Sequence, residues 1–119
     1  MALAKDSTGR SVQVLHLTDG CCQNIAPVAA AVGQNATPFK AQTVAIGVRV
    51  RGSEKVRVKL GQTGVTPGGT DLALTVDDGW HYMSLEGMDA AGTVKTKATH
   101  LGVKAGPTLP ADVDVQEYN

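Results

Sequence analysis

The residues able to do chemistry in this chain are few and scattered. The histidines are His16, His81 and His100, and the serines are Ser7, Ser11, Ser53 and Ser84. A serine nucleophile is presented on a sharp turn, and none of these stands in a nucleophile-elbow sequence. A cysteine nucleophile at Cys21 or Cys22 needs a base within hydrogen-bond reach, and the sequence locates none beside them. No histidine sits at metal-ligand spacing from another histidine, cysteine or carboxylate in a helix or tight loop, although strand-borne ligands can converge from afar. His81 reads as a packed or hydrogen-bonded histidine at the edge of a core face. Asp77 and Asp78 resemble a carboxylate pair for acid–base work, but neighbours on a strand point to opposite faces. Gly61–Gly69 invites a phosphate-loop reading. It lacks the Gly-Lys-Ser/Thr ending, and no helix follows to offer its N-terminus, so it reads as a flexible connection between sheets. The expectation is a protein that is not an enzyme, with no catalytic residues, no cofactor and no metal.

Cys21 and Cys22 are adjacent. Neighbouring cysteines bridge each other only with strain. They are expected as free thiols of a protein made in a reducing cytoplasm. An intersubunit disulfide or a metal pair is the sharper alternative, and no further cysteine or histidine cluster supports it.

Two surface features stand out instead. Arg49, Arg51, Lys55, Arg57 and Lys59 fall on the non-apolar parity of two neighbouring runs. Were those runs paired with Val48 opposite Val58, Arg49 would face Arg57, and like charges directly opposite are destabilising. Either the strands lie in different sheets, or the cluster meets an anionic partner. The bland alternative is a solvated charged face. The functional one is docking to an acidic protein surface, ahead of nucleic acid or glycans, because a single-strand binder interleaves aromatics with its cations. The second feature is Trp80 with Tyr82, expected on an outer face. Large aromatics there mark an interface, since they bury much area at low entropic cost. Cover by a loop or arm of the same chain is the alternative. Charge is also asymmetric: residues 40–60 hold six basic groups and one acid, whereas the tail holds Asp112, Asp114 and Glu117 and no base. One reading is that the acidic tail crosses to the basic face of a neighbouring subunit.

These residues must be positioned by strands. The chain has 119 residues with 14 glycines and 3% aromatics. A domain of this length buries roughly 65% of its unfolded surface. Its core must be Val, Leu, Ile and Ala. Net charge is zero, which removes the simplest argument for nucleic-acid or membrane binding. Met1–Arg10 holds no apolar signal region, and no run is long enough to span a bilayer. Residues 12–17 alternate as a first strand, and 24–38 read as a loop or irregular strand. Thr43–Val50 puts Val44, Ile46, Val48 and Val50 on one face, and Glu54–Leu60 does so with Val56, Val58 and Leu60. Residues 72–85 read as a hairpin. Asp78-Gly79 supplies a two-residue turn, with Val76 opposite His81, Leu74 opposite Met83 and Leu72 opposite Leu85. A last run covers 93–103. About six or seven strands spaced by turn signals predict an all-β, antiparallel β-sandwich or jelly-roll-like domain over 1–106, with extended terminal arms. Residues 107–119 read as an extended acidic C-terminal arm.

The run Thr43-Val-Ala-Ile-Gly-Val-Arg-Val-Arg, then Lys55-Val-Arg-Val-Lys-Leu-Gly, Thr66-Pro-Gly-Gly-Thr-Asp-Leu-Ala-Leu and Gly79-Trp-His-Tyr resembles small virion proteins of tailed bacteriophages, of the head decoration (cement) type. The likeness covers roughly residues 43–103 and is one of texture, without a diagnostic motif. It implies a structural subunit assembled into the virion in the host cytoplasm. Such a subunit is a homo-oligomer, trimer or dimer, and binds the major capsid protein to bridge capsid subunits. No membrane and no nucleic acid are expected. A phage tail or head–tail connector component is the alternative within the particle. A carbohydrate-binding β-sandwich module stacking sugars on Trp80 and Tyr82 is the alternative outside it.

Overall fold

A computed structural model describes residues 4–5, 11–12, 16–52, 54–86 and 96–119. Ten strands are assigned among them: β1 (Ala4–Lys5), β2 (Ser11–Val12), β3 (Leu17–Ile25), β4 (Val32–Gln34), β5 (Ala45–Val50), β6 (Val56–Gly61), β7 (Leu72–Leu74), β8 (His81–Ser84), β9 (His100–Lys104) and β10 (Val113–Tyr118). The two shortest, β1 and β2, pair with each other. The rest form two four-stranded antiparallel sheets, ordered β3-β10-β5-β8 and β4-β9-β6-β7. The chain is therefore an antiparallel β-sandwich. Among the described residues no helix is long and apolar enough to cross a membrane.

Period-two patterning builds the layers. In β5, Ile46, Val48 and Val50 point inward; in β6, Val56 and Val58 do the same; β9 adds Leu101 and Val103, and β10 adds Val113 and Val115. All are buried, and Phe39 is the one aromatic ring of the core. β-Branched side chains suit this arrangement because they pack well on a pleated surface with little rotamer freedom to lose. Val44 departs from the expected stripe: it precedes β5 and is exposed.

Three expectations are corrected. The first is the 72–85 hairpin. β7 pairs with β6, through Leu74 opposite Val56, whereas β8 pairs with β5, through Met83 opposite Ile46. The two runs thus belong to different sheets. Val76–Asp78 forms one 3₁₀ turn between them. The Asp78 carboxylate accepts from the Thr75 amide at 2.7 Å and from its hydroxyl at 3.3 Å. That local bond captures Asp78 in a cap, so Asp78-Gly79 turns the chain from one layer to the other. Val76 is left exposed and His81 half-buried, not opposed.

The second is the C-terminal arm. β10 is an inner strand, hydrogen-bonded to β3 on one side and β5 on the other. Val113, Val115 and Glu117 are fully buried. Alternation in Val113-Asp-Val-Gln-Glu-Tyr118 is a strand signal that outweighs the nearby prolines, because burying two valines offsets the order imposed on the chain. The third concerns the cysteines, which are joined in a Cys21–Cys22 disulfide in β3. Of the expected strand at 12–17, residues 13–15 lie outside the described residues, as do 93–95 of the run ending at Val103.

Glu117 anchors a polar cluster at one end of the sandwich. Its Oε1 accepts from the Lys40 amide at 2.8 Å and from the Thr43 hydroxyl at 2.9 Å. The Thr43 hydroxyl lies 3.3 Å from that of Thr18. The Lys40 ammonium stands 3.6 Å from Oε2 and donates to the Gly20 carbonyl at 2.7 Å.

The glycine-rich segment after β6 also finds a structural use. It folds back across the outer face of the second sheet and lands on Gly102 of β9. A Cβ at Gly102 would stand 2.6 Å from the Val65 carbonyl oxygen and 3.2 Å from Pro67 Cδ. Backbone cannot yield as a flexible side chain does. Gly102→Ala is expected to cost about 1–3 kcal/mol by overpacking, read as a lower urea midpoint at unchanged slope. An unchanged midpoint would mean that the loop does not rest on this strand.

Candidate functional site

The outer face of the first sheet concentrates the aromatic and charged residues. Outward positions follow from register: Gly47 of β5 lies between Gln116 of β10 and Tyr82 of β8, and Arg49 lies opposite Asp114. Trp80 approaches from just before β8. Three rings converge on Gly47. A Cβ there would meet Tyr82 at 3.0 Å, Trp80 at 3.3 Å and Tyr118 at 3.3 Å. Glycine is what lets the rings lie down on the sheet. Tyr82 and Tyr118 meet edge to face, with centroids 5.8 Å apart at 62°. Such pairs add about 0.5–1.5 kcal/mol beyond burial. The Arg49 guanidinium lies 4.8 Å over the Trp80 ring, a cation–π contact worth about 0.5–1 kcal/mol at an exposed site. Tyr118 donates its hydroxyl to Gln116 Oε1 at 2.7 Å. Burial, and then the neighbouring Tyr82, hold the Tyr118 phenol above its ordinary range.

Asp114 organises the charged end of this face. It accepts from Arg49 at 3.0 Å, from Arg51 at 3.4 Å and from Asn24 at 3.1 Å. Two of the cations of residues 40–60, Arg49 and Arg51, thus meet a tail carboxylate within their own chain. A crossing to a neighbour's basic face is not needed to balance Arg49 and Arg51.

Burial alone would raise the Asp114 pKa. The hydrogen bonds from Arg49 and Asn24, with the charges of Arg51 and Arg49, outweigh it and hold the carboxyl below its usual value. A depressed folded-state pKa stabilises the fold fully above the unfolded value, about 3.9, and this contribution fades as pH falls through the folded value. Asp114→Asn is expected to lose at most about 1 kcal/mol at neutral pH, the scale of a partly exposed ion pair. It should also flatten the stability profile below about pH 4. Urea midpoints at neutral and acid pH check this; parallel profiles for the two proteins would contradict it.

The expected interface residues separate into two groups. Arg49, Arg51, Trp80 and Tyr82 share the first sheet's outer side. Arg57 and Lys59 point outward from β6 in the second sheet, and Lys55 just precedes it. There is no single basic face, because β5 and β6 are consecutive in the chain but lie in opposite layers. This is how Arg49 and Arg57 escape facing one another. Trp80 is half-buried and Tyr82 is 55% exposed, so the outward parity expected for both holds even though their hairpin does not. Gly47 and Tyr118 were not anticipated, and Asp114 was expected to meet a neighbouring subunit's basic face, where it instead meets Arg49 and Arg51 of its own chain. Alternation through Val113 and Val115 was the signal that places Asp114, Gln116 and Tyr118 on the opposite side.

Among the described residues, no three or more His, Cys, Asp or Glu side chains stand together as a metal site. His100 is buried, and its Nδ1 lies 2.8 Å from the Thr99 hydroxyl. Comparison with protein-family models, curated proteins and solved structures finds no match.

Proposed function

We propose that this protein is a structural subunit of a tailed-phage particle, of the head-decoration kind. It acts by self-association and by contact with the major capsid protein, not by catalysis. The observation that supports this best is the face around Gly47. Three aromatic rings and an Arg–Asp cluster are fixed on the outer face of one sheet, with Tyr82 left open to solvent. Preorganised rings of this sort lose little freedom on association and are the residue types that dominate interface energetics. The texture of residues 43–103 points the same way, and so does the zero net charge, which offers little resistance to association.

The test is native mass spectrometry of the purified chain, followed by binding to shells lacking the protein. The expected result is a dimer or trimer that binds such shells and falls to monomer in Tyr82→Ala. A monomer with no affinity for shells would defeat the reading. A second reading follows from the same rings: a sugar-binding module, for which Trp80 and Tyr82 form the stacking platform. It expects a monomer that binds glycans and loses them on Trp80→Ala. A tail or connector position is separated from a head position by cryo-electron microscopy of the particle.

A further inference from the structure

The opposite layer carries a different surface. Lys55, Arg57 and Lys104 line a groove of about 240 Å³ together with Gly68, Gly69 and Gly106. Arg57 of β6 lies directly opposite Lys104 of β9 in the antiparallel register. Like charges so placed weaken a sheet. Among the described residues no carboxylate pairs with either of them. The ion pairs among the described residues are Lys40–Glu117, Arg49–Asp114 and Arg51–Asp114, and none reaches the groove. Two carboxylates at the groove's rim are engaged by backbone amides and a hydroxyl and pair with none of these cations. Asp71 accepts from the Gly68 amide at 2.6 Å. Glu54, which abuts Gly106, is turned to Leu109 N at 2.7 Å and the Thr108 hydroxyl at 2.9 Å. The glycine-rich loop that covers Gly102 continues to Gly68 and Gly69 at the groove's wall, and Lys55 and Lys104 stay exposed.

Arg57 is also oriented. Its Nη1 donates to the Asp71 carbonyl at 2.9 Å, which pins one side of the guanidinium and limits the freedom it would lose on binding. A planar fork flanked by two ammonium groups suits a multivalent oxyanion. A single carboxylate would leave most of the positive charge unmatched. The space exceeds that of one tetrahedral anion, leaving room for the group that bears it.

We propose that this groove binds a phosphate or sulfate group. The site lies on the other sheet from the aromatic face and does not depend on the assembly reading. The test is a titration of the ¹⁵N-labelled protein with sodium sulfate and with sodium phosphate, at ionic strength held constant with sodium chloride. Saturable shifts are expected at the amides of Gly68, Gly69 and Gly106. The double variant Lys55→Gln/Lys104→Gln is expected to weaken binding at least about tenfold, the equivalent of one good ionic contact. It should also melt higher than wild type in the absence of sulfate, because the Arg57–Lys104 repulsion is gone. That second readout separates a lost site from a misfolded protein. A sulfated disaccharide distinguishes the source of the anion: tighter binding than inorganic sulfate upholds the site with a glycan ester as ligand, and equal binding upholds it with the free anion. Shifts no larger than those given by chloride, or full saturation in the double variant, would overturn the proposal. So would binding of duplex DNA without any response to the small anions. Native mass is read independently, so failure here and failure of the assembly reading are distinguishable.

Discussion

Truncation after Gly106 is expected to unfold the sandwich. The segment removed includes β10, the strand that joins β3 to β5. It also includes Ala111, Val113 and Val115 of the core, together with Glu117. Burying one valine contributes about 1.5–3 kcal/mol. Losing two of them, and leaving two strands with newly bare edges, is comparable with the whole stability of a small domain, about 5–15 kcal/mol. The measurement is near-ultraviolet circular dichroism with urea unfolding. The expected outcome is loss of the aromatic signal, since Tyr118 leaves the cluster at Gly47, and loss of the cooperative transition. A truncated chain that stays folded and merely changes mass would restore the arm as a tether between subunits and remove β10 from the interior.

Glu117→Ala is expected to be the most costly single substitution, at about 3–5 kcal/mol, the combined scale of two lost hydrogen bonds to a buried carboxylate and the void left by its side chain. The loss has three sources. The Lys40 amide and the Thr43 hydroxyl lose their acceptor, the Lys40 ammonium loses its counter-charge, and a void replaces a fully buried side chain. Glu117→Gln keeps the volume and an acceptor, and is expected to cost about 1–2 kcal/mol. Urea unfolding of both variants measures the difference. Equal, small losses would show that water reaches this end of the sandwich and that the carboxylate is not an organising element.

Much of the layer arrangement was readable from residue types. Ile46, Val48, Val50, Val56 and Val58 all point inward as their spacing requires, because a two-residue period leaves only two choices and hydrophobicity picks one. The outward placement of Trp80 and Tyr82 follows from the same rule. Partner choice was not readable. Asp78-Gly79 carries a strong hairpin signal, yet Thr75-Val-Asp-Asp78 carries a capping signal of comparable strength, and local chemistry does not rank the two. Parity is satisfied equally whether Leu74 faces Met83 or Val56. The deciding contacts lie in β5, β6 and β10, far away in the chain. The aromatic site was half legible for a similar reason. Trp80 and Tyr82 announce themselves by type, whereas Gly47 acquires meaning only when Tyr82 and Tyr118 are seen to close over it. Tyr118 is hidden with its strand, because Pro107 and Pro110 signal an extended segment just before the alternation begins. The cationic groove was invisible because Lys104 joins Arg57 through β9, a partner that no nearby turn identifies.

Placing consecutive strands in opposite layers has a kinetic side. Asn24 bonds to Asp114 across 90 positions of sequence, and β5 waits for β8 and β10 before either of its edges is satisfied. Loop closure must precede most of the stabilising contacts, so folding of this chain should be slow for its size. During that interval the valine-rich segments of β5 and β6 are open templates for pairing with another nascent copy. High expression is then expected to favour inclusion bodies, and slower synthesis at low temperature to favour the native state.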